Sequence, residues 1–241
     1  MARITERPPV GKVEDLASLP ELNENILLEE LRTRYKQNNI YTYVGDILVS
    51  VNPFKTILGL YSSAQQSTYK GKARSDCPPH IFAIADTCYA QMLDSENHQC
   101  CLISGESGAG KTEATKLIMS HLMELCSKKF IDSSLRDANL EQKIVKVNGL
   151  LEAFGNAQTV MNDNSSRFGK YIQLKFIKGA VIGAKINEYL LEKSRVVSQA
   201  PGEQNFHIFN ALFAGLEAED KKRFKLNNPD DFCYLSNGDK V

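Results

Sequence analysis

Gly105-Glu106-Ser107-Gly108-Ala109-Gly110-Lys111-Thr112 fills every fixed position of the pattern GxxxxGK[ST]. Its glycines permit the backbone bends that turn successive N–H groups toward a triphosphate, and a helix after the loop adds the positive end of its dipole. Lys111 is spaced to reach the β- and γ-phosphates, and the Thr112 hydroxyl to bind magnesium. The pattern carries weight only between a strand and a helix. Here the apolar run Cys100-Cys101-Leu102-Ile103 has the length of a buried strand. Beyond the loop, Ala114, Leu117, Ile118, His121, Leu122 and Leu125 trace one helical face. Strand, loop and helix in that order predict an α/β nucleotide-binding protein rather than an ordinary glycine-rich turn.

Upstream of the loop, Leu22, Ile26, Leu27, Leu31 and Tyr35 recur at helical intervals, with a start near Asn23. The β-branched and aromatic stretch from Ile40 to Val51 reads as one or two buried strands interrupted at Gly45-Asp46 and ended by Asn52-Pro53. Pro78-Pro79 opens a further helix with Ile81, Ile84, Ala85, Cys88, Tyr89 and Met92 on its apolar face. Downstream, residues 127–139 read as a polar surface loop, and a helix resumes through Ile144, Val147, Leu151 and Phe154. Tyr171 to Ile177 and Ala180 to Leu190 flank Lys178-Gly179 as an antiparallel pair of strands, and Asn205 to Leu216 reads as helix.

Lys plus Arg equal Asp plus Glu at 29 each, so no global basic field argues for a nucleic-acid partner. No run of eighteen apolar residues occurs, which speaks against a spanning helix, and residues 1–9 lack the apolar stretch of a secretory signal. The six cysteines form no CxxC pair and read as reduced core thiols of a cytosolic protein. His121 and His207 lack metal-ligand spacing and read as structural.

A second polar stretch, Asn162-Asp163-Asn164-Ser165-Ser166-Arg167-Phe168-Gly169-Lys170, would by composition be a solvated turn. Beside a phosphate loop it supplies the hydroxyls, amides and arginine with which an NTPase senses the γ-phosphate and completes the magnesium shell. GESGAGKTE together with NDNSSRFGK resembles the P-loop and switch I of myosins. Asn52-Pro53-Phe54-Lys55 through Tyr61 resembles the myosin purine-binding loop, and Leu151-Glu-Ala-Phe-Gly-Asn156-Ala the segment leading to switch I. Asn187-Glu-Tyr-Leu-Leu-Glu-Lys-Ser-Arg195-Val resembles the myosin strand and linker beyond switch I, and Gly202-Glu-Gln-Asn-Phe-His-Ile-Phe209 the next helix. The resemblance runs in family order from about Val13 onward.

The resemblance implies a P-loop NTPase fold, a mixed central sheet with helices on both faces, preceded by a flexible leader at 1–12. It implies ATP and Mg2+ as ligands, with residues 105–112 and Asn162 on the phosphates, and Thr112 and Ser166 on the metal. Ser165 would contact the attacking water, and Arg167 would pair with a glutamate of switch II. Asn52, Pro53 and Tyr61 would border the adenine with Lys55 nearby, although each also suits turn or core chemistry. Actin filaments are the implied partner, with light chains or calmodulin bound only through other regions, and the implied location is the cytoplasmic actin cytoskeleton. No DxxGxE sequence, the family's switch II, is present in the 241 residues. The expected protein is therefore the first part of a motor head, truncated before switch II, and without room for the SH3-like module it suggests an unconventional class. A short product that binds nucleotide without turnover, and an unrelated P-loop kinase, are the alternatives.

Overall fold

The computed structural model describes residues 9–127 and 140–236. They divide into two compact units, one holding 9–127 with 178–180 and the other 140–177 with 181–236.

In the first unit, the Asn23 side chain accepts the Ile26 N–H at 3.0 Å and starts α1 (Glu24–Lys36) where the sequence places it. Its apolar face packs Ile26, Leu27 and Leu31 on Val13, Leu16 and Leu19. Near its end the buried Arg34 donates to Thr42 Oγ1 at 2.8 Å and to the carbonyls of Val13 and Tyr41 at 3.0 and 2.9 Å. One guanidinium thereby joins the helix to the chain before it and to the strand after it. That strand, β1 (Tyr41–Val44), pairs antiparallel with β2 (Ile47–Ser50), Val44 standing opposite Ile47 across the Gly45-Asp46 turn. Only β1 is the buried strand expected; in β2, Ile47 is 67% exposed.

A short helix, α2 (Ser63–Tyr69), escapes sequence reading, because Ala64 and Tyr69 are too few apolar positions to show a period. Helix α3 (Ile81–Ser95) comes after Pro78-Pro79 and packs against α4 (Lys111–Ser127). Between them Phe82 stacks on His121 with centroids 4.5 Å apart, and His121 Nε2 meets Asp86 Oδ2 at 2.5 Å. His121 is thus a core group, as its sequence context suggests.

One expectation fails in this unit. The run Cys100-Cys101-Leu102-Ile103 is not a strand, and Leu102 is 90% exposed. A strand exists only through hydrogen bonds to a neighbour, and none of the described residues pairs with this run. The cysteine reading is corrected with it: none of the six is in a disulfide, but only Cys77 and Cys126 are buried, while Cys100, Cys101 and Cys233 are exposed.

The second unit begins with α5 (Leu140–Gly155), which leads directly into β3 (Asn156–Thr159). β3 pairs antiparallel with β4 (Asn162–Ser166), Asn156 opposite Ser166 and Ala157 opposite Ser165. β5 (Gly169–Ile177) and β6 (Ala180–Tyr189) form the expected hairpin, with Lys178 and Gly179 at φ 49° and 78°, the two positive angles of a type I′ turn. Helices α6 (His207–Gly215) and α7 (Ala218–Arg223) complete the unit, α6 beside α5 and β3. The chain is therefore of mixed α/β content. Among the described residues its strands form three two-stranded sheets rather than the single mixed sheet expected, each strand bonded to its neighbour in sequence. The surface loop expected at 127–139 lies, apart from Ser127 at the end of α4, outside the described residues.

Candidate phosphate-binding site

The loop at 105–112 turns through Gly108 and Gly110, at φ 79° and 95°, angles that side-chain-bearing residues rarely adopt. Where a Cβ would stand on either residue the space is open, with no heavy atom within 4 Å. The Ala109 N–H donates to the Glu106 carbonyl at 3.2 Å, closing the turn, and α4 starts at Lys111. The first N–H groups of a helix have no intrahelical acceptor, so this end of α4 offers donors to an anion. Lys111 folds back over the loop, its Nζ donating to the carbonyls of Gly105 and Glu106 at 2.6 and 2.7 Å. Open glycine positions, a helix N-terminus and a lysine at the loop mouth are a donor set that fits a polyphosphate.

Asn52 connects the second candidate loop to the first. Its Nδ2 donates to the Gly108 carbonyl at 2.7 Å, while its Oδ1 accepts the Phe54 N–H at 2.9 Å. The side chain thereby fixes its own turn and the bend of the glycine loop at once. The Pro53 carbonyl accepts from Tyr35 Oη at 3.3 Å, and Lys55 is exposed. Tyr61 shares a 2.8 Å hydroxyl contact with Tyr41, and its ring lies 5.9 Å from that of His80. Burial pushes the Tyr61 phenol up, the hydrogen bond to Tyr41 opposes this, and the charge of Glu113 adds to it. His80, which no sequence pattern singles out, is held neutral, pushed down to about 4 by burial. Its Nδ1 accepts the Phe82 N–H and caps α3, and its Nε2 lies 3.1 Å from the Leu60 carbonyl.

In the second unit, the polar stretch expected as a loop is strand β4. Asn162 opens it, exchanging contacts with Thr159: its N–H donates to Thr159 Oγ1 at 3.2 Å, and its carbonyl accepts from the same hydroxyl at 3.1 Å. Ser165 is buried and Ser166 partly so. Asn164 accepts from Asn156 Nδ2 at 2.9 Å and lies 3.1 Å from His207 Nε2, which gives that histidine its structural role. Arg167 is tied at both ends of its peptide unit, its N–H to the Gly155 carbonyl at 2.8 Å and its carbonyl to the Glu192 N–H at 2.9 Å.

The Arg167 side chain is engaged as well. Its Nε meets Glu192 Oε2 at 2.6 Å, and the same oxygen takes Arg195 Nε at 2.8 Å. Arg195 in turn reaches Glu203 Oε2 at 2.7 Å. In the sequence Glu192 and Arg195 stand out only as part of a resemblance; their three-residue spacing is the available signal for an ion pair. The hydrogen bond from Arg167 holds the Glu192 carboxyl below the usual range against the opposing effect of burial, and Arg195 adds to the lowering. A lowered folded-state pKa stabilises above the unfolded value, near 4.3 for glutamate, and that contribution fades as pH falls through the folded value. Glu192→Gln is therefore expected to lose about 1–2 kcal/mol at neutral pH, and nothing relative to the parent at a pH where the parent carboxyl is itself protonated. Urea midpoints for both proteins at neutral and acid pH measure the difference. A gap that persists unchanged into acid contradicts the assignment.

Helices and small sheets, with a complete GxxxxGK[ST] loop opening α4, define an α/β protein that carries a phosphate-loop sequence. Residues 13–241 match the family model of the myosin head (motor domain), and the chain belongs to that family. It is 50% identical over 233 residues to Myosin-VIIa of Drosophila melanogaster, covering 96% of this chain and 10% of that protein. It is 47% identical over 237 residues to Unconventional myosin-XV of Homo sapiens, 98% of this chain and 6% of that protein. To Myosin-IIIa of Homo sapiens it is 51% identical over 228 residues, 93% of this chain and 14% of that protein. The chain thus spans between 6% and 14% of the length of these relatives. Among the described residues no helix is long and apolar enough to cross a membrane, and no group of three or more His, Cys, Asp or Glu could hold a metal ion.

Proposed function

We propose that this chain is the ATP-binding part of a cytoplasmic, actin-based myosin motor with a P-loop NTPase fold. The observation that carries the reading is the open glycine loop at 105–112 with Lys111 folded over it and Asn52 bonded to Gly108. Lys111 and the loop N–H groups would hold the triphosphate, and Thr112 and Ser166 would supply hydroxyls to magnesium. Bound magnesium neutralises phosphate charge. Asn162 would add a contact to the phosphates, Ser165 would orient water, and Arg167 would exchange Glu192 for a nucleotide-dependent partner. Asn52, Pro53, Lys55 and Tyr61 would border the adenine.

Titration of the chain with a fluorescent ATP analogue tests the first step. Saturable binding that chelation of magnesium abolishes is expected; no binding, or binding indifferent to magnesium, overturns it. Hydrogen exchange tests β4: with magnesium and ATP present together, amides at 162–167 are expected to slow at least about tenfold, the equivalent of 1.4 kcal/mol of local ordering. Identical exchange with and without ligand removes β4 from the nucleotide site.

A further inference from the structure

We propose that Cys88 and Cys101 are a peroxide-oxidisable thiol pair that closes to a disulfide, tying α3 to the segment that leads into the phosphate loop. Their Sγ atoms lie 3.3 Å apart, although the residues are thirteen positions apart in sequence. The chain path explains the meeting. α3 ends at Ser95, and Glu96, at φ 55°, turns the chain back on itself. From Cys88 the helix runs on for about 10 Å at its rise of 1.5 Å per residue. The return from Glu96 to Cys101 can span up to about 17 Å, so the second cysteine comes back level with the first. A disulfide needs its sulfurs about 2.0 Å apart, little more than an ångström closer than they stand. Cys101 lies in a segment with neither helix nor strand to hold it back.

The two thiols are unequal. The hydrogen bond from Cys101 brings the Cys88 thiol down to about 7 against the effect of burial, whereas the same contact, with burial, pushes Cys101 up. Cys88 is thus the thiolate nucleophile and Cys101 the resolving thiol, the arrangement of redox-responsive pairs. In the first step the Cys88 sulfur attacks one oxygen of hydrogen peroxide and the O–O bond breaks. The sulfur becomes a sulfenic acid, and the departing hydroxide takes up a proton to leave as water. In the second, the Cys101 sulfur attacks the Cys88 sulfur, the S–O bond breaks, and hydroxide leaves with the Cys101 proton as a second water. Two thiols and one peroxide give one disulfide and two waters. Cys77 and Cys126 are buried, which shields them from peroxide.

The test is to expose the chain to hydrogen peroxide, block remaining thiols by alkylation, digest without reductant and identify linked peptides by mass spectrometry. A peptide pair joining Cys88 to Cys101, lighter by two hydrogens and released by dithiothreitol, is expected as the main product. Cys100→Ser is expected to keep the link, and Cys88→Ser and Cys101→Ser each to lose it. In Cys101→Ser, Cys88 is expected to persist as a sulfenic acid that dimedone traps. Preferential linkage of Cys88 to Cys100, indiscriminate pairing among all six cysteines, or Cys88 left fully alkylatable overturns the proposal.

Discussion

Lys111→Ala is expected to weaken magnesium-ATP binding by about a hundredfold or more. The Lys111 ammonium already stands at the mouth of the loop, on the Gly105 and Glu106 carbonyls at 2.6 and 2.7 Å. A triphosphate offers it ionised oxygens in place of neutral ones, and hydrogen bonds to charged groups contribute about 1.5–3 kcal/mol each. Two such bonds, at about 1.4 kcal/mol per factor of ten, set the expected loss. Lys111→Arg keeps the charge but presents a planar fork to a site shaped for a point charge, so an intermediate loss is expected. Fluorescent-analogue titration of parent and both variants measures it, with thermal melts to show that the fold is kept. Unchanged affinity in a folded Lys111→Ala would remove the loop from nucleotide binding altogether.

How much of the structure is legible in the sequence depends on how local the physics is. Asn23 as the cap of α1, and the Lys178-Gly179 turn between β5 and β6, rest on contacts within a few residues, and both are found where the sequence puts them. The phosphate-loop residues are legible because their spacing is the mechanism: consecutive N–H groups, a lysine and a hydroxyl on one turn of chain. The strand expected at 100–103 rests on apolar length alone, and length does not supply a hydrogen-bonding neighbour. β4 is hidden for the opposite reason. Its polar residues, Asn162 to Ser166, look like a solvated turn, and only pairing with β3 makes them a strand. The bond from Asn52 to Gly108 joins residues 56 apart, so no local rule could place it.

The ion cluster behind Arg167 also joins positions distant in sequence, Arg167 and Glu192 standing 25 residues apart, and it carries the largest expected loss of stability. Arg195 is 3% exposed, and it donates to Glu192 Oε2 at 2.8 Å, Glu203 Oε2 at 2.7 Å and the Gln204 carbonyl at 3.0 Å. Arg195→Ala is expected to lower the unfolding free energy by about 3 kcal/mol, because it removes a buried guanidinium and leaves the partly buried Glu203 carboxylate, 19% exposed, without its cation while Glu192 keeps only Arg167. Against a total stability of about 5–15 kcal/mol, that is enough to leave a measurable unfolded population. If stranded charge is the cause, Glu203→Gln should recover part of the loss when added to Arg195→Ala, while destabilising the parent on its own. Urea unfolding of the four proteins closes that cycle, and additive losses would show that Arg195 acts through packing instead. The same variant separates stability from switching. Glu192 Oε2 is shared by two arginines, so removing Arg195 leaves that oxygen to Arg167 alone and should hold Arg167 more tightly. Exchange at the Glu192 amide, which bonds the Arg167 carbonyl at 2.9 Å, should then slow relative to the rest of the second unit even as that unit becomes less stable.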